Sequence, residues 1–355
     1  MFANLPQKFE VGMMSQRSCY RIAFVNEASS VIGMGHILRS QALARIMSAR
    51  GHDILGVTIG DKKAVVYAQE RSNSEHVNWA IETVHNFKAA IEIILLNHPC
   101  VVVVDFSTAS KSLVAACKNF GIATVALDYF ISEQPLPAAV INLIDHNPAS
   151  LAGCPLPRPG VAYFEGPQYA IVREEFLVAR GRRILSSDHP VPKKIVIAFG
   201  GADPSGNTMR AIDMIALWPS EFVVDVIIGP LFTSDLESVT ANVRHNCDII
   251  LHSSPNYMGR LFEEADIVFC GGGGTLLEAL CVGVPTIVLA QNEAESRHAK
   301  SLAQRHACWL GEKVNWEDVS QIENRKKLSR SAVACVDGLG AERICNVIEQ
   351  QLLIK

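Results

Sequence analysis

The sequence predicts two doubly wound α/β domains, and three observations lead there. Strand-length apolar runs alternate with helical patterns twice over, a stretch rich in Pro and Gly separates the two series, and the chain is 355 residues long. Parallel strands need crossover helices, so this alternation reads as consecutive βαβ units. A single core seldom grows to this length, and two domains of roughly 150 residues each are expected.

The first series of strands is Arg21–Val25, Asp53–Ile59, Cys100–Asp105, Ala123–Leu127 and Ala139–Leu143, with helices expected at 37–50, 62–71, 86–97 and 110–120. Pro148 to Pro167 interrupts the pattern, which resumes with Lys194–Phe199, Val223–Ile228, Asp248–Leu251, Ile267–Cys270 and Thr286–Leu289. The expected organisation is an extension over 1–18, a first Rossmann-like domain over 19–165, a second over 166–340, and a last helix, 341–355, that crosses back to the first domain. Met13 and Met14 leave the natural start open. In such sheets, ligands sit at the carboxyl ends of the strands, here facing a shared cleft.

Composition narrows the function. A net charge of −4, with no local run of Lys or Arg, offers no footprint for nucleic acid. The hydrophobic fraction of 49% feeds two cores, yet the longest apolar runs, such as Cys100–Val104, are strand length. A bilayer span takes roughly 20 residues, so no stable membrane insertion is expected. The ten cysteines are scattered without a Cys-x-x-Cys pair, and residues 1–18 lack the features of a secretion signal. Together these suggest reduced thiols in a cytoplasmic protein.

The chemistry is expected at three glycine turns. Gly33-Met34-Gly35-His36 lies between the strand ending at Val25 and a helix whose apolar residues Ile37, Leu38, Leu43, Ile46 and Met47 recur at helical spacing. Backbone N–H groups at such a helix start favour an anion, and glycine permits close approach. His36 either caps this helix or takes and gives protons near neutrality. Asp105 and Asp128 each follow a buried strand, so both carboxylates are expected beside His36, as caps or as acid/base groups.

In the second half, Gly200-Gly201-Ala202-Asp203 follows one strand and Gly271-Gly272-Gly273-Gly274-Thr275 follows another. Four consecutive glycines are costly as turn filler and suit a diphosphate. Glu278, one turn into the following helix, is placed to accept from a ribose diol or to stand as an exposed carboxylate. Gln291 and Asn292 follow the last strand and could recognise sugar hydroxyls or an acetamido group, or simply form a polar loop. His298 reads as structural. No Asp-x-Asp run is found, so no metal is expected at the diphosphate, and no cofactor is expected.

These residues resemble a known family. Ala28–Arg39, the segment Tyr169-Ala170-Ile171-Val172-Arg173-Glu174-Glu175-Phe176, and Gly200–Asp203 are similar to the nucleotide-sugar hydrolases of pseudaminic acid biosynthesis. Those enzymes release UDP from UDP-2,4-diacetamido-2,4,6-trideoxy-β-L-altropyranose, and their fold is of the glycosyltransferase B type, as in the N-acetylglucosaminyltransferase that forms lipid II. The resemblance covers about residues 20 to 305. It implies that His36 activates water, and from their places at the strand ends Asp105 or Asp128 is expected to help orient it. Gly272, Gly273, Thr275 and Glu278 would hold UDP, with Gly33, Gly35, Arg39, Tyr169, Arg173, Gly200, Gly201, Gly274, Gln291 and Asn292 lining the substrate site.

The chain departs from the family at Asn26-Glu27-Ala28, at Phe106-Ser107 where the family carries His-Tyr, at Thr275–Ala279 and at Gln291-Asn292-Glu293. The leading expectation is inverting hydrolysis of a UDP-sugar in nonulosonic acid or surface polysaccharide biosynthesis. A glycosyltransferase with a non-water acceptor is the alternative, and a sugar-nucleotide sensor is a third.

Overall fold

In the computed structural model, the structure describes residues 19–28, 35–60, 66, 80–84, 87–106, 110–128, 135–143, 160–183, 189–232 and 247–353. The expected extension over 1–18, the helix over 62–71 apart from Val66, and Gly33 lie outside the described residues.

Alternation along the strands builds the first domain. In β1 (Arg21–Ala28), Ile22 and Phe24 face one side while Ala23 and Val25 face the other, and all four are fully buried. The chain continues through α1 (Gly35–Ala49), β2 (Asp53–Gly60), β3 (Ala80–Val84), α2 (Phe87–Asn97), β4 (Val101–Asp105), α3 (Ser110–Asn119), β5 (Ala123–Leu127), β6 (Ala139–Asn142) and β7 (Ala162–Glu165). All pairings are parallel, in the order β3-β2-β1-β4-β5-β6-β7. Leu43 and Met47 of α1 cover one face, and Ala90 and Ile94 of α2 with Leu113 and Val114 of α3 cover the other. A sheet buried on both faces explains the near-continuous apolar run Val101–Val104.

The second domain repeats the plan. It holds α4 (Glu174–Arg183), β8 (Lys194–Ala198), α5 (Asn207–Ala216), β9 (Phe222–Ile228), β10 (Cys247–Ser253), α6 (Met258–Glu264), β11 (Ile267–Cys270), α7 (Gly274–Val282), β12 (Thr286–Val288), α8 (Glu293–Gln304), β13 (Trp309–Leu310), α9 (Trp316–Ser320) and α10 (Ile322–Cys335). Its sheet is also parallel, in the order β10-β9-β8-β11-β12-β13. The strands β3, β7 and β13 were not anticipated from the sequence. β13 has only two residues, and β7 is half-buried throughout, so neither carries a strong apolar run.

The last helix, α11 (Gly340–Leu353), packs on the first domain rather than the second. Ala341, Ile344, Cys345, Ile348 and Leu352 join the core of Phe24, Leu43 and Met47. Arg50 pairs with Glu342 and, at 2.8 Å, with Glu349, while His52 Nε2 lies 3.2 Å from Glu349. Two chain segments therefore pass between the domains, around residues 166–172 and 336–340. They touch: a Cβ on Gly340 would lie 2.2 Å from the carbonyl oxygen of Ala170.

Strand order reverses between β1 and β4 in one sheet and between β8 and β11 in the other. Crevices for ligands open at such switch points, beyond the carboxyl ends of the strands. These ends meet: Ala28 and Ile37 of the first domain form a small apolar cluster with Leu231 of the second, and Leu38 and Ala202 pack against it.

Candidate active site

The first switch point carries a buried charge cluster. Asp105 ends β4, directly beside Asn26 of β1 and Leu127 of β5, so Asp128 follows at the neighbouring strand end. His36 and Arg39 stand three residues apart in α1 and so share one of its faces. His36 Nδ1 lies 2.6 Å from Asp105 Oδ1. Arg39 donates to both Asp105 oxygens, through Nε at 2.5 Å and through Nη2, and its Nη1 donates to Asp128 Oδ2 at 2.7 Å. Asp128 Oδ1 accepts from the Leu143 N–H at 2.8 Å. Asp128 has a left-handed φ of 50°, a conformation this pair of side-chain bonds helps to hold.

The electrostatics fix the protonation pattern. Asp105 is fully buried, which alone would push its carboxyl up, but Arg39 and His36 outweigh burial and hold it down at about 2. Burial opposes the charge on Arg39 as well, and the two aspartates more than compensate, raising its pKa. With Asp105 ionised and able only to accept, the 2.6 Å contact requires the proton on His36 Nδ1. The 3.0 Å approach of Arg39 Nη2 to that nitrogen is then a contact between two donors. The bond to Asp105 leaves Nε2 directed away from that carboxylate, and in the neutral tautomer Nε2 is the ring's acceptor, the arrangement of an oriented general base. Asn26 is also buried here, taking a 2.9 Å hydrogen bond from Thr58 Oγ1, and Glu27 is buried beside it.

The second switch point is made of backbone. At Gly200-Gly201, Asp203 accepts from the N–H groups of Asn207 at 2.9 Å and Thr208 at 2.8 Å, capping α5. Gly200 and Gly201 were expected to line the substrate site; the helix start beside them is occupied by the protein's own carboxylate. Gly229 approaches it so closely that a Cβ there would lie 2.3 Å from the Gly200 oxygen. Gln291 joins the strand ends, its Nε2 donating to the Phe199 oxygen at 3.2 Å, and its own carbonyl accepts from Ser205 Oγ at 3.1 Å. Gln291 Oε1 is buried and has no hydrogen-bond partner among the described residues.

The four-glycine turn precedes α7. Helix geometry leaves the first N–H groups, those of Gly274 and Thr275, without intrahelical acceptors, and Gly273 at the N-cap supplies no side-chain acceptor. The Gly272 N–H is not among these donors, because it donates to Glu295 Oε2 at 2.9 Å. Glu278 is not exposed. Its carboxylate takes two hydrogen bonds from Arg173, at 2.6 and 3.0 Å, while Arg173 also pairs with Glu175 at 2.9 Å and stacks 4.7 Å from the Phe176 ring centre.

The structure thus brings His36, Arg39, Asp105 and Asp128 together on the first sheet. Arg173 and Glu278 meet at the second, with Gly271–Thr275 beginning the same helix as Glu278. Asn292 caps α8 by accepting from the Glu295 N–H at 2.9 Å. Tyr169 stands apart, packed on Phe164 and the first core beside α11. Gly35 starts α1, with no atom within 4 Å of where its Cβ would be. Sequence reasoning missed Glu295. The signal was present as Asn292-x-x-Glu295, a capping-box spacing at a helix start.

These geometries can be set against known proteins. The architecture is of the glycosyltransferase B type. Over 93% of this chain and 99% of the other it matches MurG of Acinetobacter baumannii with a TM-score of 0.65 at 15% identity. The UDP-GlcNAc 2-epimerase of Neisseria meningitidis, solved with UDP-GlcNAc, matches over 93% and 100% with a TM-score of 0.62 at 11% identity. Such identities show a shared fold. In sequence, the chain is 24% identical to an uncharacterised protein of Methanocaldococcus jannaschii over 81% of its own length. It is 28% identical to the spore coat polysaccharide biosynthesis protein SpsG of Bacillus subtilis over 52%. The matches span 60% and 58% of those two relatives. No family model matches the chain.

Proposed function

We propose that this protein is a UDP-sugar-using enzyme of glycan biosynthesis, and that it hydrolyses its substrate with inversion at the anomeric carbon. The observation that carries the reading is the hydrogen bond from His36 Nδ1 to Asp105, which leaves Nε2 as a base. Water bound to Nε2 gives its proton to His36 as its oxygen bonds the anomeric carbon. The bond from that carbon to the diphosphate oxygen breaks, and UDP leaves with the electron pair. Asp105 stabilises the imidazolium, and Arg39 and Asp128 hold Asp105 in place. The N–H groups of Gly274 and Thr275, at the positive end of α7, receive the charge that develops on the diphosphate. Glu278, one turn into α7, and its partner Arg173 are the charged side chains assigned to ribose and phosphate.

The substrate class draws on the resemblance of Tyr169–Phe176 and Ala28–Arg39 to the pseudaminic pathway hydrolases, which suggests a UDP-2,4-diacetamido-2,4,6-trideoxyhexose. The polysaccharide role of SpsG and the UDP-GlcNAc bound to the epimerase fit the same setting. The fold match to MurG favours a second reading, transfer of the sugar to an acceptor other than water by the same donor site. Among the described residues, no helix is long and apolar enough to cross a membrane.

One experiment separates the readings: incubation with the UDP-diacetamidotrideoxyhexoses without acceptor, followed by NMR of UDP and of the sugar anomer. Release with inverted configuration is expected. Binding without release would overturn hydrolysis in favour of transfer to another acceptor or of a sugar-nucleotide sensor.

A further inference from the structure

The four consecutive glycines divide into two pairs with different tasks. A Cβ on Gly272 would lie 2.5 Å from the Glu295 carbonyl oxygen and 2.8 Å from its Cβ, so only glycine lets this loop lie directly against α8. A Cβ on Gly271 would meet Glu295 Oε2 at 2.9 Å. Gly274 has no atom within 4 Å of that point, and Gly273 has only Glu295 Oε1, at 3.4 Å. The α8 backbone requires glycine at Gly272 and the Glu295 and Gln291 side chains crowd Gly271, whereas Gly273 touches one carboxylate oxygen and Gly274 faces open space among the described residues.

What α8 does to the loop is specific. In an ordinary capping box, the Glu at the third helical position turns back to the N–H of the capping residue. Glu295 occupies that position after Asn292, yet its Oε2 accepts instead from Gly272 N–H at 2.9 Å and from Gln291 N–H at 2.9 Å. One carboxylate oxygen thereby ties the loop after β11 to the loop after β12. One helical turn further on, buried His298 donates through Nδ1 to the Gly272 carbonyl at 2.7 Å. The Gly272 peptide is held from both ends by one helix.

We infer that Glu295 and His298 are positioning residues for the nucleotide site: they clamp the Gly272 peptide, withdraw its N–H from ligand binding, and set the Gly274 and Thr275 N–H groups to receive the diphosphate. This rests on the nucleotide-sugar reading above. A hydrogen bond to a charged group fixes its partner more firmly than a neutral one, and loss of a preset anion site raises the ordering cost that the ligand must meet.

The test is calorimetric titration with UDP alone, which needs no sugar and no turnover, on the full chain and on variants checked for folding by thermal denaturation. Glu295→Ala is expected to weaken UDP binding by about tenfold. Glu295→Gln, whose amide oxygen keeps both acceptor positions, restores affinity to within about threefold. Glu295→Asp, one methylene short, behaves like Ala and decides the matter if Ala does not fold. His298→Asn, whose Nδ2 replaces the Nδ1 donor, is expected to bind UDP better than His298→Leu. In turnover assays, the Glu295→Ala loss falls on KM rather than kcat, unlike a loss at His36. Folded Glu295→Ala or Glu295→Asp that binds UDP as well as the unaltered protein overturns the clamp, as does Glu295→Gln losing as much affinity as Ala. Failure of the unaltered protein to bind UDP overturns the nucleotide reading itself, and the clamp with it.

Discussion

The two sheets share a strand order, yet their switch points are built of opposite materials. Beyond β4 of the first, charged side chains converge, with Arg39 bridging Asp105 and Asp128 and His36 facing Asp105. Beyond β11 of the second, side chains give way to glycine and the groups on offer are backbone N–H. A side-chain cluster can move a proton, because its members titrate and their neighbours tune them. A backbone cluster can hold an anion in one geometry and never change charge. Under the proposed function, one fold used twice separates proton transfer from anion binding.

The largest effect that could break this contrast is at His36. His36→Asn is expected to lower turnover by at least about a hundredfold while UDP affinity, measured by calorimetry, stays the same, because the base lies on the other sheet. Equal losses of both would mean that the two regions do not divide the work as described.

Asp105→Asn comes next. It removes the carboxylate facing His36 Nδ1 and, among the described residues, leaves Arg39 its ion pair with Asp128. A destabilisation of about 3–5 kcal/mol is expected, by urea denaturation, as for other buried pairs losing one partner.

The pH dependence follows from the same group. Asp105 has its folded pKa lowered from 3.8 to about 2, so the folded state binds fewer protons than the unfolded state between those values. Its contribution is complete above pH 4 and is lost as pH falls toward 2, on the order of 2 kcal/mol in all. Urea midpoints measured at pH 5 and pH 3 should diverge less in Asp105→Asn than in the unaltered protein.

At the second sheet, Glu278→Ala leaves Arg173 paired with Glu175 and is expected to raise the UDP Kd by about tenfold, with turnover at saturating substrate changed less. An unchanged Kd would remove Glu278 from the nucleotide site. The smallest effect calibrates the scale: Asn315, whose side chain accepts from the Asp318 N–H at 2.8 Å, caps α9, and its replacement by Ala should cost about 1 kcal/mol in thermal denaturation.

Much of this was legible in the sequence because it is local. His36 and Arg39 share a helical face by their spacing, and Asp105 and Asp128 become neighbours once two adjacent strands are recognised. The start of α7 after four glycines is equally readable. What escaped were partners chosen across the fold. Glu278, one turn into a helix, read as a ribose acceptor or an exposed carboxylate, and nothing local said that Arg173, 105 residues earlier in the chain, lies against it. The Gly200-Gly201 turn looked open because Asp203 can cap only after the turn has brought it over α5. Glu295 carried a capping-box spacing, but nothing in that spacing says its carboxylate would reach a loop 23 residues away.

The sequence by itself determined the two βαβ series, the residues that end each strand, and the glycines that need a backbone without Cβ, since strand alternation, helical period and glycine sterics act over a few residues. The return of the last helix to the first domain and the facing strand ends were expected, but only the tertiary structure decided the partners: Ile344 and Ile348 in the core of Phe24, Leu43 and Met47, Ala28 and Ile37 with Leu231, and α8 against the glycine loop. Those outcomes depend on which apolar faces and which donors and acceptors find each other across long sequence separations, and no local rule contains that information.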